Sequence, residues 1–178
     1  NYIIISSNSL TNDGNGNNWV NEYAQYRTSL AGGGYSVATV IAEQLYDQFA
    51  YGISKHPAAI RNFMRLATAT WSSKKPEYLF MIGKGAEYRN MRNNAAIFNS
   101  CLIPTWGYPA SDNLLAGSIG TLIPSVPVGR IAAKTLTITG ITANDKVYDG
   151  FTTVTISGAE SYVGLENGES FTVSGTPV

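Results

Sequence analysis

Tyr78-Leu79-Phe80-Met81-Ile82 is an unbroken apolar run that stops on Gly83, with Pro76 just upstream. Too short between those breakers for a helix, and apolar on both faces, it predicts the buried central strand of a parallel sheet covered by helices on each side. Tyr2 to Ser6 repeats the pattern, and Tyr35 to Ile41 is a third such run, with both faces expected to be buried. Between the Tyr2 and Tyr35 runs lies a helical spacing: Trp19, Val20, Tyr23, Tyr26 and Leu30 fall on one face, after Asn17 or Asn18 as N-cap and before Gly32-Gly33-Gly34 as terminator. A short helix over 43–51 follows. Pro57 then suits the first position of another, in which Ile60, Phe63, Met64, Ala67 and Trp71 form a core stripe. Strand, helix, strand, helix, strand is the βαβαβ order, and right-handed crossovers place its helices on both faces of the sheet.

Beyond Gly83 the pattern loosens. Residues 84–122 read as one long irregular section, and Ser125 to Ile131 as a further strand that Pro127 assigns to an edge or an end. From Lys134 the texture changes again. Leu136/Ile138, Val154/Ile156 and Phe171/Val173 alternate with Thr and Ser between turns at Asp149-Gly150, Ser157-Gly158 and Asn167-Gly168, the pattern of a small antiparallel unit. The expected division is therefore an α/β subdomain over 1–133 and an all-β unit over 134–178.

Composition changes this picture little. The 178 residues are 44% hydrophobic and 13% charged, enough for one sizeable core. Ten Lys/Arg against seven Asp/Glu up to Ala133, and two against five after it, leave the parts near +3 and −3. With no basic cluster interleaved with aromatics, nucleic acid is excluded as a partner. No run of about 18 apolar residues offers a membrane span. One cysteine, Cys101, allows no intrachain disulfide. A core strand at the very start, without an initiator Met, reads as a piece of something longer.

The collinear series Tyr2-Ile3-Ile4-Ile5, Tyr26-Arg27, Tyr35 to Ile41, Ile60-Arg61-Asn62-Phe63, Tyr78 to Gly83, Ile103-Pro104-Thr105, Ser111-Asp112 and Val128-Gly129-Arg130 resembles the gingipain-like cysteine peptidases, with the type IX secretion sortase as the nearest subgroup. Leu136 to Gly140 with Asp145-Lys146-Val147-Tyr148-Asp149-Gly150 is similar to the YDG repeat of bacterial surface and adhesin-like proteins. The first resemblance implies the first half of a caspase/gingipain-like catalytic domain, protein or peptide substrates, and a secreted or outer-membrane-associated location. It also implies that the nucleophilic Cys and its His, the latter in a Gly-His-Gly turn, belong to a second half absent from these residues. The family commonly has Asp after the glycine that ends the central strand; this chain has Lys84.

No residue is accordingly assigned a catalytic, cofactor-binding or metal-binding role, and no cofactor is expected. Cys101 and His56 could form a dyad only within hydrogen-bond reach. His56 before Pro57 reads instead as a helix cap, and Cys101 as a small buried hydrophobe. Asp13-Gly14-Asn15-Gly16-Asn17 imitates a calcium loop but has Ala24 at its twelfth position, so it reads as a polar turn. Gly83-Lys84-Gly85 lacks the spacing of a phosphate loop. Ser111-Asp112 reads as a helix cap or surface turn. Tyr88, Trp106 and Tyr108 either line a peptide groove or pin their loop to the core.

Overall fold

The structure, a computed structural model, describes residues 1–118 and 120–133, and beyond them four short strands of the C-terminal part. The chain divides into two compact units, Asn1–Lys134 and Thr135–Val178. In the first, β1 (Tyr2–Ser6), β2 (Val37–Ile41), β3 (Tyr78–Ile82) and β4 (Val128–Ile131) form a sheet in the order β2-β1-β3-β4, every pair parallel. Its helices are α1 (Trp19–Thr28), α2 (Ala42–Phe49), α3 (Pro57–Thr70), α4 (Tyr88–Asn93) and α5 (Ala95–Ser100).

Helix placement follows from handedness. The chain steps from β1 to β2 in one direction and from β2 past β1 to β3 in the other, so right-handed crossovers put α1 on one face and α2 with α3 on the opposite face. Alternation along the strands matches. Ile3, Ile5, Leu79 and Met81 join Leu45, Tyr46, Ile60, Met64 and Ala67 in one core, while Tyr2 and Ile4 meet Val20 and Ala24 in the other. The step from β3 to β4 continues in the second direction, and Ile103, Leu115 and Val126 from that connection join the α2/α3 core.

That asymmetry corrects the expected two-sided burial of the Tyr78–Ile82 strand. Its Leu79 and Met81 are buried, but Phe80 and Ile82 are half-buried and Tyr78 is exposed, because α1 packs over β1 and β2. Gly129 lies opposite Phe80 in the register, and a Cβ there would come 3.1 Å from the Phe80 ring, which therefore lies against β4. β2, at the edge of the sheet, is half-buried rather than buried on both faces.

The α1 stripe is corrected too. The helix stops at Thr28, leaving Leu30 outside it and 97% exposed; Trp19 is 62% and Tyr26 50% exposed, and the buried residues are Val20 and Ala24. Trp19 opens the first turn, where its indole N–H donates to Asp13 Oδ2 at 3.0 Å instead of entering the core. Arg27 takes up the far end, its guanidinium 4.5 Å from the Tyr2 ring centre and 4.7 Å from that of Tyr35. The α3 reading fits better: Pro57 is its first residue, Ile60, Phe63, Met64 and Ala67 are buried, and Trp71 packs against them from the C-cap. Residues 84–122 are not irregular throughout, since α4, α5 and a 3-10 turn at Asn113–Ala116 lie within them.

The second unit is antiparallel where it is described: β5 (Thr137–Thr139) pairs with β8 (Ser161–Val163), and β6 (Thr142–Ala143) with β7 (Ile156–Ser157). Leu136, Val154, Phe171, Val173 and the three expected turns other than Ser157 lie outside the described residues.

Removing side-chain volume at Met64 should therefore cost about 2–5 kcal/mol in Met64→Ala, whereas Leu30→Ser should change stability by less than about 0.5 kcal/mol; urea denaturation of both variants checks the pair.

Candidate functional site

In open parallel sheets, chemistry gathers beyond the C-terminal ends of the strands. Here those ends are closed by Arg130, the penultimate residue of β4. Its Nε and Nη2 donate to the Asp112 carboxylate at 2.7 and 2.8 Å, and Nη1 donates to the carbonyls of Gly83 and Ile103 at 2.8 and 3.0 Å. Gly85 leaves room for the guanidinium, since a Cβ there would sit 3.1 Å from Arg130 Cζ. The segment 102–105 is tied alongside by Leu102 and Ile103 N–H donating to Lys84 O, and Thr105 N–H to Ala86 O. Ser111-Asp112, read from sequence as a cap or surface turn, is thus the anionic half of this clamp; its side chain caps no helix. A cation at the end of a buried strand was the available signal, because an inward-facing guanidinium requires a carboxylate partner.

Nearby, Ser7 Oγ donates to Glu43 Oε1 at 2.7 Å and Asn8 N–H to Oε2 at 3.0 Å, which joins the loop after β1 to the start of α2.

The structure does not bring Cys101 and His56 together as reacting partners. Cys101 is fully buried at the C-cap of α5, and burial raises its thiol pKa, an effect that Lys55 only partly offsets. His56 spends Nδ1 accepting the Ala58 N–H at 3.1 Å, the helix cap read from sequence. Burial, then the Arg92 charge, lowers its pKa. A buried thiol held protonated is a poor nucleophile.

Asp13 is consumed by its own turn. Its carboxylate accepts from the Asn15 and Asn17 backbone N–H groups, from Asn17 Nδ2 and from Trp19 Nε1, with the Asn17 side chain the largest cause of a pKa lowered to about 2. Among the described residues no group of three or more His, Cys, Asp or Glu is placed to hold a metal ion, and no helix is long and apolar enough to cross a membrane. Gly83-Lys84-Gly85 forms the turn into the Leu102–Thr105 pairing.

The aromatics of the long connection do meet. His56, Pro57, Tyr88, Arg89, Trp106, Gly107 and Tyr108 line a cleft of about 330 Å³ beside the start of α3. The His56 and Tyr88 rings meet edge-on at 5.0 Å, and Arg61 lies 4.4 Å from the Trp106 ring centre.

Two predictions concern these groups. Asp112→Asn leaves Arg130 largely buried without its counter-charge and should cost about 2–3 kcal/mol by denaturant titration, less than for a fully buried pair because Asp112 is partly exposed. Asp13 has a folded-state pKa below its unfolded value, so the order it lends the 13–19 turn is present above about pH 4 and is lost as pH falls through about 2; the carboxyl 13C shift of Asp13 should show that low midpoint.

Comparison with family models matches residues 1–144 to Peptidase family C25 and residues 132–177 to the YDG domain. No curated protein and no solved structure matches the chain. With four-fifths of its length inside the C25 match and the parallel α/β sheet inside that span, the chain belongs to peptidase family C25, the gingipain cysteine peptidases.

Proposed function

We propose that residues 1–133 are the supporting, non-catalytic half of a gingipain-type peptidase domain, with the hydrolytic Cys and His supplied by a second half, and that 134–178 is a YDG-type unit beside it. The observation that carries this reading is the setting of the chain's single thiol: Cys101 is fully buried, which raises its pKa, and its potential base is engaged as a helix cap. The family's Gly-His-Gly turn has no counterpart either, since the single histidine stands in Lys55-His56-Pro57. Membership of a peptidase family supports protein or peptide substrates for the parent protein. A secreted or cell-surface, outer-membrane-associated location fits both families, and removal of secretion signals as a type IX sortase is the narrower form of the same reading.

The YDG match favours a second reading, in which the α/β scaffold and further repeats act as a non-catalytic surface or adhesion module. Reading the parent gene past the codon for Val178 separates the two. An in-frame Gly-His-Gly turn with a downstream Cys supports the peptidase; further Tyr-Asp-Gly repeats alone support the module.

The 178-residue chain itself should show no thiol-dependent hydrolysis of a peptide panel, with iodoacetamide and Cys101→Ala both without effect. Cleavage that disappears in Cys101→Ala would overturn the assignment of Cys101 as a core residue.

A further inference from the structure

Three guanidiniums stand at the aromatic cleft. Arg89 lines it, exposed and without a carboxylate partner among the described residues. Arg61 lies over Trp106, and Arg92 lies 4.9 Å from the Tyr88 ring centre. These two guanidiniums donate to backbone carbonyls, of Gly117 and Ser54 respectively, so neither charge is cancelled by an acid. Arg65 adds a fourth, also on the Gly117 carbonyl, and lowers the pKa of Arg61 after burial has done so. The carboxylate nearest in sequence, Glu87, is outside the lining; one oxygen accepts from Asn90 Nδ2, the other is buried without a hydrogen-bond partner, and neither pairs with an arginine. Tyr108, 79% exposed, stands at the mouth. The cleft is therefore a set of flat apolar surfaces flanked by guanidiniums that have no carboxylate partner, and it lies beside the start of α3.

We propose that this cleft is a docking site for an acidic peptide segment carrying an aromatic side chain, the ring seated among Tyr88, Trp106 and Tyr108 and flanking carboxylates met by Arg89 and the field of Arg61 and Arg92. Charge complementarity fixes the occupant. A basic segment would meet like charges, and a neutral one would leave the cationic rim unanswered. The site binds and does not cleave, so it stands whether or not a catalytic half accompanies this chain.

His56 lines the cleft and is the chain's single histidine, so its Cε1–H resonance reports occupancy without assignment ambiguity. The 178-residue chain is titrated with the capped peptides Asp-Glu-Tyr-Glu-Asp, Asn-Gln-Tyr-Gln-Asn and Lys-Lys-Tyr-Lys-Lys, in low and in high salt. The acidic peptide is expected to give a saturable His56 shift that weakens with salt, while the other two give little. Arg89→Gln should weaken it about two- to fivefold, the worth of one exposed charge pair. Tyr108→Ala should weaken it as well; both residues are exposed, and retained backbone resonances will show that the variants fold. Equal shifts from all three peptides, no saturable shift at all, or an acidic-peptide affinity unchanged in Arg89→Gln would each overturn the proposal.

Discussion

Arg130 is where the α/β unit is closed. A guanidinium that is nearly all buried needs its positive charge answered and its donors used, and both requirements are met by groups from three separate stretches: Asp112, the carbonyl of Gly83 at the end of β3, and that of Ile103. β3, β4 and the long connection between them thus converge on one planar cation. Its fork geometry matters as much as its charge, since a lysine would supply a point charge without the parallel pair of bonds to Asp112. The connection gains a fixed course at this point, and the cleft formed by Tyr88, Trp106 and Tyr108 is built on that course.

The elements with strong apolar periodicity were legible in the sequence. The β1 and β3 runs, the Pro57 start of α3, its Ile60 to Ala67 stripe and the His56 cap all follow from local chemistry. What was not legible depends on which face of the sheet each helix reaches. Trp19, Tyr26 and Leu30 have the spacing of a buried stripe, yet α1 is short, lies over β1 and β2, and turns its first-turn indole to Asp13. Half-burial of Phe80 and Ile82 has the same origin, because the crossover from β3 to β4 covers the other face.

The site shows the same division. Reading His56 as a helix cap needed one neighbour, Pro57, and reading the Asp13 loop as a polar turn needed one position, Ala24. Finding Asp112 with Arg130 needed a contact across the fold that no periodicity encodes. The gathering of His56 with Tyr88, Trp106 and Tyr108 likewise joins the start of a helix to a loop 50 residues further on. The family resemblance reached Ser111-Asp112 and Val128-Gly129-Arg130 as separate landmarks; the structure makes them one bonded unit.

Gly129 has a wider reach than its position in an edge strand suggests. With no side chain of its own, β4 borrows the Phe80 ring of its neighbour to cover that part of the sheet, and the same ring lies 5.2 Å from Tyr23 of α1. Tyr23 in turn meets the Tyr2 hydroxyl at 3.2 Å. A methyl group added at 129 would press on one ring that itself packs on a second, so the last strand of the sheet and the first helix of the chain share one aromatic contact.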